Sequence, residues 1–188
     1  MLTAMKGYNV DGEGFLSPPS LGRHIGEKLD GPVVTARCFY LYNNGRHMNN
    51  AYPSAFDFLK ADDTIPVENC SCGIYGLKLD EDGNTRIRNL VRLLSYIQKA
   101  HEYTVRQSAI AVVGMYGKVI EGETGYRAER AIIKRLTLLT NGRQFSRHFI
   151  ERMGGRYHVN VSQVVVKNQN EGYMGNTLNK IMEEIMRK

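Results

Sequence analysis

Residues Ile87, Leu90, Val91, Leu94 and Ile97 recur at the spacing that puts one apolar stripe on a helix. Asn84 or Thr85 stands ready as N-cap, and Arg88, Arg92, Ser95 and Lys99 fall on the opposite face. The same period returns in Leu178, Ile181, Met182 and Ile185 and predicts an amphipathic tail helix from Asn176 to Arg187. A shorter helix is expected from Gln144 to Met153, closed by Gly154-Gly155.

Strands announce themselves by β-branched and aromatic runs between turn residues. Val33 to Tyr42 lies between Gly31-Pro32 and Asn43-Asn44-Gly45, Cys72 to Leu79 ends at Asp80-Glu81-Asp82-Gly83, and Arg156 to Val166 alternates in part. Ala109 to Ile120 and Tyr126 to Leu139 flank Glu121-Gly122-Glu123-Thr124-Gly125, the pattern of a hairpin. The second arm also has helical propensity; strand is the preferred reading. Residues 1–31, dense in Gly, Pro and Asp after position 10, read as an irregular arm anchored by Tyr8, Phe15, Leu16 and Leu21. A short helix is expected from Ser54 to Lys60. The sum is an α+β fold: a mostly antiparallel sheet, one long amphipathic helix, a shorter helix and a C-terminal tail helix. Residues 1–166 are expected to form one domain, with 167–188 as linker and tail helix.

Composition agrees with a packed core. The 188 residues are 42% hydrophobic and 23% charged with 5 Pro, which excludes collagen-like and extensively disordered readings. No apolar run reaches the roughly 18 residues needed to cross a bilayer, and no export signal opens the chain, so a cytoplasmic protein is expected, without membrane contact. The net charge of +6 is unevenly spread: residues 1–84 hold 7 Lys+Arg against 11 Asp+Glu, and residues 85–188 hold 18 against 8. A basic second half suits a nucleic acid or an acidic cellular protein as partner. The candidate binding residues are Arg88, Arg92, Lys99, Arg127, Arg130, Lys134 and Arg135, with Tyr96, Tyr103, Tyr126 and Tyr157 interspersed for stacking. Solvated helix faces and core tyrosines account for the same pattern.

Three cysteines are too few for a disulfide framework. Cys38, Cys70 and Cys72, with Asp63 or else His47 as fourth donor, would complete a tetrahedral shell for structural zinc. Three small buried side chains, or a reactive thiol, fit the same residues. Glu121, Glu123, Arg127 and Glu129 offer an acid–base alternative beside the cysteines, residues 121 and 123 sharing one strand face and Glu129 lying across the loop. An exposed charged hairpin is the plainer account. No phosphate loop, dinucleotide fingerprint, His-Glu-x-x-His helix or nucleophile elbow is present.

Thr35-Ala36-Arg37-Cys38, Asn69-Cys70-Ser71-Cys72-Gly73-Ile74-Tyr75-Gly76, and Gly117-Lys118-Val119-Ile120-Glu121-Gly122-Glu123-Thr124-Gly125-Tyr126-Arg127-Ala128-Glu129 together carry a resemblance. The chain from about Val33 to about Ala131 resembles a set of small bacterial and phage proteins with a Cys-x-Cys-Gly-Ile-Tyr segment and a Gly-x-Val-x-Glu-x-Glu-x-Gly-Tyr-Arg-Ala-Glu hairpin. The resemblance implies a shared fold for that half and a phage or mobile-element origin, and it brings no activity with it. Members usually have His where this chain has Asp63 and Gly122.

The leading expectation is thus a non-enzymatic protein that binds a cellular protein or nucleic acid through its basic, tyrosine-rich second half. An enzyme built on Glu121, Glu123 and Arg127, and an assembly protein that forms homo-oligomers through the tail helix, are the alternatives.

Overall fold

The structure, a computed structural model, describes residues 1–18, 28–36, 66, 73–79, 82–101, 107–140, 142, 144–166 and 175–187. It is an α+β fold whose sheet, mostly antiparallel, has seven strands among the described residues. The strands are β1 (Leu2–Val10), β2 (Leu16–Ser17), β3 (Val33–Thr35), β4 (Ile74–Lys78), β5 (Gln107–Glu121), β6 (Gly125–Thr140) and β7 (Asn160–Val165). The helices are α1 (Gly83–His101), α2 (Arg147–Tyr157) and α3 (Gly175–Met186). The expected helix from Ser54 to Lys60 lies outside the described residues, as does most of the strand expected to continue from Val33 to Tyr42.

The hairpin of β5 and β6 organises the sheet. β1 pairs with β5 along its whole length, from Leu2↔Met115 to Val10↔Gln107. β6 pairs in turn with β4, through Ile74↔Ala128 to Leu77↔Gly125, and β4 returns to β1 at Ala4↔Lys78 and Met5↔Leu77. The circuit β1, β5, β6, β4 therefore closes on itself, and the ring removes strand edges that would otherwise stay unpaired. Two irregularities bend the hairpin enough to allow this. One leaves Lys134 unpaired between the Val112↔Arg135 and Val113↔Ile133 pairs; the other lies between Tyr116 and Val119. At the second, Gly117 takes φ +75, open to glycine, and Glu129 fills the bend by accepting the Lys118 N–H at 3.2 Å. β7 adds in parallel beyond β6, from Arg135↔Asn160 to Thr140↔Val165.

Alternation along the strands yields two apolar clusters. Ala4, Tyr8, Ala109, Ala111, Val113 and Met115 face one side, where Phe149, Met153 and Tyr157 of α2 pack. Met5, Ile110 and Val112 face the other, covered by Leu90, Leu93, Leu94 and Ile97 of α1 and by Ile181 and Ile185 of α3. Burying each of those two α3 isoleucines stabilises by roughly 1.5–3 kcal/mol, so the tail helix is docked on its own chain. Arg135 reinforces the dock by donating to the Ile185 carbonyl at 2.8 Å.

Several expectations need correction. The first ten residues are no irregular arm: Leu2–Val10 is a central strand, because its long pairing partner β5 supplies the hydrogen bonds that local composition cannot reveal. The cap of α1 is Asp82, whose carboxylate accepts the Asn84 and Thr85 N–H groups at 2.9 and 3.1 Å. Its buried stripe is rotated from the expected one; Ile87 and Val91 stay 41% and 42% exposed while Leu93 is buried. α2 runs through Gly154-Gly155 and ends at His158, which takes the left-handed φ of 52 and donates its N–H to the Gly154 carbonyl. Ser146 caps its start by accepting the Phe149 N–H at 3.2 Å.

Candidate functional site

A cleft of about 1090 Å³ opens between β1, β4, the middle of α1 and the hairpin tip. It gathers residues far apart in sequence. Lys6 comes from β1, Tyr75 from β4, Arg92 and Tyr96 from α1, and Arg127 from β6. Tyr75 and Tyr96 form an aromatic rim at 49% and 41% exposure, and the Arg127 guanidinium lies 5.8 Å from the Tyr75 ring centre. An aromatic face beside a guanidinium, as at Tyr75, suits a planar, anionic guest. Burial raises the pKa of Tyr96, so its phenol stays protonated at neutral pH.

Deeper in, Lys6 is half-buried, and the Tyr8 beside it is fully buried. The Lys6 ammonium donates to the Tyr75 carbonyl at 3.2 Å and lies 5.5 Å from the centre of the Tyr8 ring. Among the described residues it pairs with no carboxylate. Burial pulls its pKa down to about 8.

The hairpin tip forms the opposite wall and brings two of the suggested acid–base residues into the same cleft as Arg127. Glu121 ends β5 and Glu123 sits in the turn, so they do not share a strand face as expected. Both are exposed, and Glu121 is held by Lys78 at 2.6 Å. Lys78 in turn lies 5.5 Å from the Tyr126 ring centre. Glu129 stands apart, spent on the bulge at Lys118 and on Arg130 at 3.3 Å. Neither tip carboxylate faces a dry enclosure of the kind acid–base chemistry uses.

Of the binding residues read from the sequence, the fold brings Arg92 and Arg127 together on the cleft. Arg88 is exposed on α1, Arg130 is ion-paired with Glu129, Lys134 is exposed at the bulge of β6, and Arg135 holds α3. The side chain of Lys99 lies outside the described residues. So do Cys38, His47, Asp63, Cys70 and Cys72, the whole suggested zinc shell. Among the described residues no group of three or more His, Cys, Asp or Glu could hold a metal ion.

Lys6 and Tyr75 escaped the sequence reading. A lone lysine between Ala4 and Tyr8 was the available signal, legible only once Leu2–Val10 is known to be a strand. No helix among the described residues is long and apolar enough to cross a membrane. Comparison with protein-family models, curated proteins and solved structures found no match.

Proposed function

We propose that this is a non-enzymatic binding protein that engages a nucleic-acid strand through the cleft between β1, β4, α1 and the hairpin tip. The observation that carries this reading is the convergence of Arg92 and Arg127 with the exposed rings of Tyr75 and Tyr96 on one concavity. Stacking on such rings tolerates any base, and the guanidiniums supply the phosphate contacts. An unpaired strand suits this arrangement better than a duplex, whose bases are already stacked on one another. The exposed tip carboxylates, one of them already committed to Lys78, weaken the enzyme reading, and the docking of Ile181 and Ile185 on the chain's own core weakens the tail-helix assembly reading.

Fluorescence anisotropy with a labelled thymidylate strand tests the proposal. Two or three neutralised phosphates predict that the logarithm of affinity falls with that of salt at a slope of about −2 between about 50 and about 300 mM. Binding of a polyglutamate peptide in place of the strand would transfer the reading to an acidic protein partner. Salt-independent binding, or none to either, would overturn it.

A further inference from the structure

The face of β1 that carries Ala4, Tyr8 and Val10 belongs to the core, and alternation places Lys6 on that same face. A charged side chain among fully buried neighbours breaks the pattern that stabilises the strand, and such breaks concentrate where a protein does something. The usual remedy for a half-buried ammonium is a carboxylate partner. Lys6 has a carbonyl, that of Tyr75 at 3.2 Å, and an aromatic face, that of Tyr8 at 5.5 Å. Among the described residues one of its three N–H groups is used, and two can turn to an acceptor in the cleft.

The nature of that acceptor follows from depth and charge. Arg92, Tyr75 and Tyr96 are exposed at the rim, whereas Lys6 and Tyr8 are withdrawn. The middle of a strand, with a diester carrying a single charge, tracks along a rim; a chain end can turn inward. A terminal phosphate has close to two negative charges at neutral pH and three free oxygens. Glu121 and Glu123 on the tip wall repel such a group, although Lys78 balances the first at 2.6 Å, so the place left for it is the part of the cleft between β1 and β4 where Lys6 meets the Tyr75 carbonyl.

We propose that Lys6 marks a phosphomonoester subsite, in which its ammonium binds the phosphate of a nucleotide or of a phosphorylated strand end while Tyr75 and Tyr96 receive the base. This rests on the nucleic-acid reading of the same cleft. The desolvation of Lys6 that depresses its proton affinity is relieved when the dianion arrives, so phosphate binding and retention of the ammonium proton favour each other.

Two measurements on the full chain decide it. In the first, lysine side-chain resonances of isotopically labelled protein are followed during titration with inorganic phosphate, with chloride at matched ionic strength as the control. The Lys6 signal, assigned by its loss in Lys6→Arg, is expected to move saturably with phosphate alone. In the second, a thymidylate strand with a 5′-phosphate is compared with its 5′-hydroxyl counterpart. The phosphorylated strand is expected to bind at least about fivefold tighter to the native chain and equally to Lys6→Met, which keeps side-chain length without charge. Thymidine monophosphate as competitor separates the two sources: displacement at matching concentration identifies a free nucleotide as sufficient, and weak displacement identifies the strand end. A phosphate-responsive Lys6 without strand binding would retain the subsite and sink the strand reading. Strand binding without a phosphate preference, and with Lys6 unmoved, would sink the subsite alone.

Discussion

The hydroxyl of Tyr157, in the last turn of α2, accepts the N–H of Leu16 in β2 at 2.8 Å. It also donates to the Leu29 carbonyl at 2.8 Å, so one phenol ties both partners of the Leu16↔Leu29 bridge to the helix across the core. Its ring is fully buried, and burial raises its pKa. Tyr157→Phe keeps the ring and orphans a buried donor and an acceptor together. The expected cost is about 2–4 kcal/mol, read as a lower urea midpoint at unchanged slope. A loss under about 0.5 kcal/mol would show that water replaces the phenol without penalty.

Closure of the strand ring depends on two glycines whose neighbours differ in kind. A Cβ on Gly125 would stand 2.5 Å from the Gly76 carbonyl oxygen, which belongs to the paired backbone and cannot yield. A Cβ on Gly76 would meet the Ala4 Cβ and the Met115 Cε, each at 2.8 Å, and the methionine can move. Both Gly→Ala changes are expected to destabilise, Gly125→Ala by about 3–5 kcal/mol and Gly76→Ala by about 1–3 kcal/mol. The reverse order in thermal unfolding would mean that β4 is not clamped as described.

The parts of this fold visible in the sequence are those set by local periodicity. β6 reads as a strand because it and β5 flank the turn Glu121–Gly125 in the pattern of a hairpin, despite the helical propensity around Glu129 and Arg130, and α3 shows its buried Ile181 and Ile185 directly. What stays hidden is set by distant partners. β1 looks like part of a turn-rich arm until β5 is laid beside it, and Gly154-Gly155 looks like a stop until Tyr157 is seen to need one more turn to reach Leu16. The site divides in the same way. Arg92 and Arg127 are recognisable as basic residues, but only the ring of strands brings them to one cleft with Lys6 and Tyr75.

Lys6 also leaves a mark on stability. Its pKa is about 8 when folded against 10.5 for the ordinary side chain, so between those values the unfolded chain holds the extra proton and stability rises with pH. Below pH 8 both states are charged, and the full cost of the half-buried ammonium is present. Above pH 10 Tyr8 works in the opposite direction, because burial raises its pKa and the unfolded chain alone ionises. From pH 8 to 10 the native chain is expected to gain about 1–2 kcal/mol relative to Lys6→Met, below the ideal linkage because the amine is partly solvated. Parallel urea titrations of the two chains across that window measure it. A constant difference between them would refute the desolvation of Lys6.

Charge reversal separates a cleft from a generally basic surface. Arg92 and Arg88 are one turn apart on α1 and both exposed, yet Arg92 lines the cleft with Arg127 whereas Arg88 is not among its walls. Diffuse attraction would feel the two equally, since both lie within about a Debye length of the same strand. Direct phosphate contact would not. Arg92→Glu and Arg127→Glu are each expected to weaken the thymidylate strand about tenfold at moderate salt and to lower the salt slope by about one, the signature of a lost phosphate contact. Arg88→Glu is expected to change affinity less than about threefold with the slope unaltered. Equal losses at all three positions would place the strand outside the cleft and assign the binding to the overall charge of the second half of the chain.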